Sequence, residues 1–405
     1  MNYSESLDWL YSTQNFGIKL GLDGPKKLLR QFLAYPKSST KVVHAAGTNG
    51  KGSTCAMIDS LARSAGMRSG LFTSPHLIEF RERIRVNGEM ISEQAVAESL
   101  TELREMVADW DHHPTFFEIT LVVAMRYFKQ CECELIVLET GMGGRLDATT
   151  AVPADVCVIT PIALDHSEWL GDTLEKVASE KAGIIIDKIP VISAEQQREA
   201  AIVIAEEAEE RRATLTTVSG PLLGYNIALA GEHQACNAKV ALEAASALKI
   251  PLNFDIVQHA FANIDWPGRF ETLSKTPQII IDGAHNPHAA HALVETWEKE
   301  FGSQKATLVF GAVEEKDVRL VLDILCQIAE VIHICPINSP RTLSADGMIA
   351  ALPKNAPQHH SHSNLKSCLD SLSNHDKPIL VAGSLFLIGE AKALFSNDSF
   401  QRSTQ

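Results

Sequence analysis

Short, β-branched apolar runs alternate along this chain with longer stretches whose apolar residues recur at helical spacing. The runs at 42–46, 135–138, 156–160, 190–193, 279–282, 307–310, 331–335 and 379–382 predict strands. Residues 93–108, 195–212, 234–248 and 318–328 predict the helices between them, and 55–65 predicts one directly after the first strand. Such alternation implies an α/β fold with mostly parallel sheets. No internal repeat or low-complexity tract interrupts it. Trp266-Pro267-Gly268-Arg269 breaks the pattern before a fresh run of strands, which places a larger domain over 1–270 and a smaller α/β domain over 271–405. Several predicted strands end in polar residues. The first runs into Gly47, the second ends at Glu139, the third leads to Asp165-His166, and the run at 279 ends at Asp282. Open parallel sheets bind their ligands beyond the carboxyl ends of the strands.

Composition narrows the class. At 405 residues the chain exceeds one hydrophobic core, and 45% apolar with 21% charged residues describes an ordinary globular protein. No apolar run approaches the ~18 residues of a membrane span. Met1 to Ser6 carries no basic segment before an apolar one, so a cytoplasmic protein without a membrane partner is expected. The net charge of −14 argues against nucleic acid as a partner, which needs basic surface. Small anionic substrates would be met by local basic residues and a metal ion. The eight cysteines are scattered, and Cys131 and Cys133 form C-x-C, not a paired C-x-x-C zinc pattern. They are expected as reduced, small hydrophobes.

Candidate chemistry begins at Gly47-Thr48-Asn49-Gly50-Lys51-Gly52-Ser53-Thr54. Glycines let backbone N–H groups approach an anion, a helix N-terminus adds partial positive charge, and a lysine neutralises outer phosphates. The spacing departs from G-x-x-x-x-G-K-[ST], because Gly52 separates Lys51 from the hydroxyls of Ser53 and Thr54. The plain alternative is a tight turn. Glu139, before Thr140-Gly141-Met142-Gly143-Gly144-Arg145, could hold Mg²⁺ against phosphates or cap a helix. His166 by itself is a weak magnesium ligand, and Lys181 by itself reads as a surface residue. Asp282-Gly283-Ala284-His285-Asn286-Pro287 packs an acid, a histidine and an amide into one turn, either for a ligand or as an Asx-type turn. Ser74 could ligate Mg²⁺ or start a turn. Arg81, Arg83 and Arg85 suit an anion path or an exposed strand face. His359, His360 and His362 read as part of a polar loop.

In order along the chain, HAAGTNGKGST, LFTSPHL, ERIRVNGE, TFFEIT, LETGMGGRLDAT, LDHSEWLG, SEKAGI, EHQACNA, WPGRFE, DGAHNPHA, GAVEEKD and VAGSLFLIGE resemble the motifs of the folylpolyglutamate synthase/dihydrofolate synthase family of Mur ligases. The resemblance implies a P-loop-containing, mostly parallel domain followed by a smaller α/β domain. It also implies an ATP-dependent amide ligase that joins L-glutamate to dihydropteroate or to a reduced folate through an acyl phosphate. Asn49, Gly50, Lys51, Gly52 and Ser53 match its phosphate contacts, and Asn237, Arg269 and Asp282 its other nucleotide contacts. His285 is expected to face the active site. Ser74, Glu139, His166 and Lys181 match its magnesium ligands, with two ions expected and Lys181 carbamylated; Ser53 competes with Ser74 for one ion. Ile18, Lys19, Leu20 and Gly21, Thr115, Phe116, Phe117 and Glu118, and Leu146, Asp147 and Ala148 align with its pterin contacts. Phe116 and Phe117 could equally be ordinary core. A monomer is the family expectation.

Thr150, Ile186 and Leu33-Ala34-Tyr35-Pro36 depart from the usual pattern, which bears on whether both synthase activities are present and on folate preference, and not on the ATP or metal set. The rival expectations are a folylpolyglutamate synthase alone, a cell-wall Mur ligase, and a P-loop switch or motor. The cell-wall enzyme is disfavoured because only about 40 residues precede the glycine loop, too few for a separate UDP-binding domain.

Overall fold

Val42 to Ala46 are buried on both faces of strand β1 (Lys41–Ala46), His44 included. A strand without a polar face belongs inside a parallel sheet. Accordingly β1 lies between β5 (Leu135–Glu139) and β6 (Val156–Ile159), parallel to both. The computed structural model describes residues 1–17, 21–165, 167–314, 317–396 and 400–401. Ile18, Lys19, Leu20 and His166 lie outside the described residues.

The chain forms two compact units. The first comprises Met1–Pro75, Arg81–Ile227 and Ala235–Ile264. Its eight-stranded sheet also contains β2 (Ser69–Phe72), β3 (Ile84–Val86), β4 (Glu89–Met90), β7 (Val191–Ala194) and β8 (Leu215–Val218). The order is β4-β3-β2-β5-β1-β6-β7-β8. The β2–β3 and β3–β4 pairings are antiparallel and the others parallel. Strand order reverses direction around β1, so its carboxyl end sits at a topological switch point, where such sheets bind ligands.

The second unit comprises His76–Phe80, Ala228–Gln234 and Asp265–Gln405. Its strands are β9 (Glu271–Lys275), β10 (Gln278–Ile281), β11 (Ala306–Phe310), β12 (Ala329–Ile334), β13 (Gln358–Ser361) and β14 (Ile379–Ala382), ordered β13-β12-β11-β14-β10-β9. The β9–β10 pairing is antiparallel and the others parallel. Alternating residues feed two cores: Ile280, Leu308, Phe310, Ile332 and Leu380 pack with Trp297 on one side. Ile279, Ile281, Val309, Cys335 and Val381 pack with Leu365, Cys368 and Leu387 on the other.

Three local expectations change. The helix predicted from 195 starts at Arg198, because Gln196 turns its side chain back to accept from Ile162 N (2.9 Å) and donate to Thr160 O (3.1 Å). Residues 80–83 form a 3₁₀ turn, and Arg83 is fully buried over the Phe116 ring, 5.2 Å from its centroid, so it lines no exposed strand face. The histidine segment is strand β13 and not a loop, since an exposed edge strand requires no apolar alternation. No helix among the described residues is long and apolar enough to cross a membrane.

Candidate active site

Beyond the carboxyl end of β1 the chain turns through Gly47 (φ 150°) and Gly50 (φ 84°) into the helix Lys51–Ser64. The helix starts at Lys51, four residues before the apolar pattern does, and Gly50 gives its N-terminus no capping side chain. An uncapped first turn keeps its N–H groups for an anion. Both glycines are required sterically. A Cβ on Gly47 would stand 1.9 Å from Thr160 Oγ1, and one on Gly50 would stand 2.6 Å from Asn237 Oδ1. Asn237 is thus packed against the loop.

Two cations converge here. Lys51 Nζ donates to the carbonyls of Gly47 (3.0 Å) and Thr48 (3.2 Å). Lys181, in the last turn of the helix Leu174–Ala182, is buried and donates from Nζ to the same Gly47 carbonyl at 2.8 Å. Next door, Glu139 ends β5 buried, and its Oε2 accepts from Ser74 N at 3.1 Å, a loop amide and not a helix N-terminus. Ser53 Oγ in the first helical turn and Thr140 Oγ1 just past β5 are buried without a hydrogen-bond partner among the described residues. Buried hydroxyls are normally satisfied. Hydroxyl and carboxylate oxygens suit a hard divalent cation, and the donors suit phosphate, so the residues fit Mg²⁺-nucleotide chemistry.

The Gly141–Arg145 loop is fixed from both ends. Arg145 N donates to Glu180 O (2.7 Å) and its guanidinium pairs with Glu180 at 2.7 Å, which ties the loop to the helix bearing Lys181. Asp147 Oδ2 accepts from Gly141 N and Met142 N, and Oδ1 from Thr149 N and Thr149 Oγ1. All four acceptor positions of that carboxylate are filled. Burial pushes its carboxyl pKa up, opposed by these donors. Thr149 Oγ1 in turn accepts from His44 Nε2 at 2.7 Å, and burial holds the His44 imidazole down to about 3 and hence neutral.

The pterin-assigned residues fall into three kinds. Thr115 and Glu118 form a reciprocal cap at the start of the helix Phe116–Gln130. Phe116 is core, stacked on Tyr11 at 5.6 Å. Phe117 is partly exposed, packs against Phe72 at 5.7 Å and lies beside Gly141. Leu146 and Ala148 flank Asp147, and Gly21 is a positive-φ glycine.

In the second unit, Asp282 follows β10 and accepts from Ala284 N (2.8 Å) and Phe270 N (2.9 Å), an Asx-type turn with a second anchor. Burial pushes its carboxyl pKa up, opposed by the Arg269 guanidinium and these N–H groups. Arg269 Nη1 donates to Gly268 O at 3.0 Å. His285 Nδ1 meets Gly283 O at 2.7 Å, and Asn286 caps the helix Pro287–Phe301.

Residues 45–191 match the Mur ligase middle domain, and residues 268–385 the Mur ligase glutamate ligase domain. Dihydrofolate synthase/folylpolyglutamate synthase of Bacillus subtilis (strain 168) is 32% identical, over 96% of this chain and 98% of that protein. The chain belongs to the dihydrofolate synthase/folylpolyglutamate synthase family. Escherichia coli FolC in complex with DHPP and ADP superposes with a TM-score of 0.87 at 30% identity, covering 97% of this chain and 98% of that one. The bifunctional enzyme of Yersinia pestis, complexed with AMPPNP and a manganese ion, gives 0.88 at 29% identity and covers 98% of each chain.

Sequence reasoning missed the residues that hold this family's loops in place here. Thr48 Oγ1 donates to Ala163 O and accepts from Ala163 N, while Pro161 O accepts from Thr48 N and Asn49 N, pinning the segment that leads to Asp165. His44 reads in the sequence as part of an apolar run. His233 lies in the EHQACNA motif, where the resemblance points to Asn237. Burial, then the charges of Arg269 and His288, hold its imidazole down to about 4. For His44 a histidine inside an otherwise apolar run was the available signal; His233, between Glu232 and Gln234, offers none.

Proposed function

We propose that this chain is an ATP-dependent amide ligase that adds L-glutamate to dihydropteroate, giving dihydrofolate, and to the glutamate tail of reduced folates. The observation that carries this reading is the convergence of Lys51 and Lys181 on the Gly47 carbonyl, at an uncapped helix N-terminus beside the buried carboxylate of Glu139. A carboxylate is a poor acylating agent. Its oxygen attacks the γ-phosphorus of ATP, the bond to the β-phosphate oxygen breaks, and ADP leaves an acyl phosphate behind. The amino group of L-glutamate then attacks the acyl carbon, loses its proton, and expels inorganic phosphate. What the protein must supply is in-line positioning and charge neutralisation.

We assign the phosphates to the backbone of Asn49, Gly50, Lys51, Gly52 and Ser53 and to the Lys51 ammonium. Asn237, Arg269 and Asp282 would hold the rest of the nucleotide, with His285 facing the reacting groups. Ser74, Glu139, His166 and Lys181 would hold two divalent ions, which neutralise phosphate charge when bound. Ser53, whose buried hydroxyl has no hydrogen-bond partner among the described residues, would be the competitor to Ser74 for the first ion, while the Ser74 N–H braces Glu139. Lys181 as a carbamate would supply an anionic oxygen where a buried ammonium is costly. The pterin would stack on Phe117, between Gly21, Leu146 and Ala148 and the segment 18–20. Asp147, whose acceptors are filled, would shape that wall through its loop. Division of labour at about residue 270, a monomeric state and a cytoplasmic location complete the proposal.

The test is incubation of the pure protein with ATP, Mg²⁺, L-glutamate and either dihydropteroate or tetrahydrofolate, with products read by mass spectrometry. One glutamate gained on dihydropteroate and further glutamates on tetrahydrofolate are expected. Extension of tetrahydrofolate alone would reduce the protein to tail lengthening. Nucleotide hydrolysis without amide product would overturn the ligase reading.

A further inference from the structure

On the second unit's sheet, two histidines and two cysteines cluster in a group to which the ligase reaction gives no role. His333 and Cys335, two residues apart at the end of β12, follow the alternation that carries Cys335 into the core shared with Cys368. Cys368 comes from the helix Leu365–Ser371, and His362 directly follows edge strand β13. His333 Nδ1 and His362 Nε2 lie 2.8 Å apart, with the rings stacked at 5.0 Å. One ligand atom each from His333, His362 and Cys368 falls within 4.8 Å of the others. Cys335 and Cys368 are buried in the same core cluster, and His360, opposite His333 in register, packs on the His333 ring at 5.2 Å.

We propose that His333, His362 and Cys368 bind one zinc ion that clips edge strand β13 and the following helix onto β12. Tetrahedral zinc with Zn–N near 2.0–2.1 Å and Zn–S near 2.3 Å separates its ligand atoms by roughly 3.3–3.8 Å. The widest separation therefore needs to close by about 1 Å, and the two ring nitrogens 2.8 Å apart need to open by about 0.5 Å, both side-chain adjustments. Imidazole and thiolate are the donor types that select zinc over magnesium. Binding releases the Cys368 thiol proton to solvent and moves the proton shared by the two imidazoles to a ring nitrogen outside the site. The fold gains where it is otherwise weak. β13 is a four-residue edge strand with every residue exposed, paired on one side only. The proposal stands apart from the ligase reading, because none of these residues belongs to the nucleotide, magnesium or folate set.

The test uses the reduced full-length chain without an affinity tag, in excess Mg²⁺. It is equilibrated with Zn²⁺, freed of unbound metal and analysed for metal content. In parallel, Co²⁺ is titrated in and followed by absorption. About one zinc per chain and a sulfur-to-cobalt charge-transfer band are expected. The magnesium set contains no thiolate and cannot give that band. Cys368→Ser and the half-buried His362→Gln should each weaken binding about 100-fold or more. His362→Gln serves if Cys368→Ser fails to fold, with circular dichroism checking both. Zinc retention equal in parent and both variants, or no charge-transfer band, would overturn the proposal. So would a Cys335–Cys368 disulfide whose reduction restores no metal uptake.

Discussion

Replacing Gly47 by alanine should separate the glycine loop's catalytic role from its contribution to stability. The new Cβ would stand 1.9 Å from Thr160 Oγ1, 2.9 Å from the Thr160 carbonyl oxygen and 3.0 Å from Thr160 Cβ. Rotating the threonine removes only the first clash. Its backbone is fixed, because Thr160 N donates to Ala46 O at 2.9 Å. Alanine at a φ of 150° adds backbone strain of about 1–3 kcal/mol, and the remaining overlap about 1–3 kcal/mol more. The cheapest relief is displacement of the loop, which shifts the carbonyl shared by Lys51 and Lys181. A misplacement near 1 Å costs about 100-fold in rate. We therefore expect glutamate-dependent ADP release to fall about 100-fold or more, while the urea unfolding midpoint falls only modestly. Adding Thr160→Gly, which removes two of the three clashes, should make the fall from Thr160→Gly to the double variant smaller than the fall from the parent to Gly47→Ala. A Gly47→Ala protein with a rate within about threefold of the parent and an unchanged midpoint would refute the loop geometry as the determinant.

Three further outcomes follow from the same geometry. Lys51→Ala should lose turnover by about 100-fold or more, since phosphate charge would go uncompensated, and a near-normal rate would remove it from the cradle. Lys181→Ala should be largely inactive and partly rescued by small carboxylates. Absence of both rescue and added CO₂ in intact-protein mass spectra would sink the carbamate. His44 gives a pH signature: its folded pKa near 3 lies below the ordinary 6.5, so the unfolded chain binds the extra proton. Its contribution to stability is full above pH 6.5 and is lost as pH falls toward 3, by about 1.4 kcal/mol per pH unit. His44→Gln keeps a donor for Thr149 and should flatten that slope; parallel unfolding curves for parent and variant between pH 7 and 5 would contradict it.

Strand positions were legible wherever burial is two-sided, as in β1, β5 and β14, because a short apolar run without alternation fits little besides a strand covered on both faces. β13 was not legible for the opposite reason. Its histidines face solvent at a sheet edge, so parallel pairing to β12 specifies the strand and the side chains do not. Helix ends moved where side chains took over backbone partners. Gln196 stops one helix early by bonding the segment after β6. The helix after the glycine loop begins within the loop itself because Gly50, in the left-handed region, starts it without a capping side chain.

The site divides along the same line. Residues that present charge at strand ends, such as Lys51, Glu139 and Asp282, announce themselves because polar groups after an apolar run demand a partner. Those that shape the loops do not, since a threonine or histidine in a buried segment looks like tolerated polarity. The buried line from His44 through Thr149 to Asp147, and on to the Gly141 and Met142 amides, depends on a sheet strand and a distant loop meeting in space. Arg83 makes the point most sharply. Its neighbours Arg81 and Arg85 suggested an exposed face, but a 3₁₀ turn rotates Arg83 inward, where burial holds its guanidinium pKa down to about 10. A fully buried arginine over Phe116 braces the wall from which the adjacent Phe117 meets the Gly141 loop. Spacing along the chain records which residues are charged; only packing records which of those charges turn inward to brace a loop.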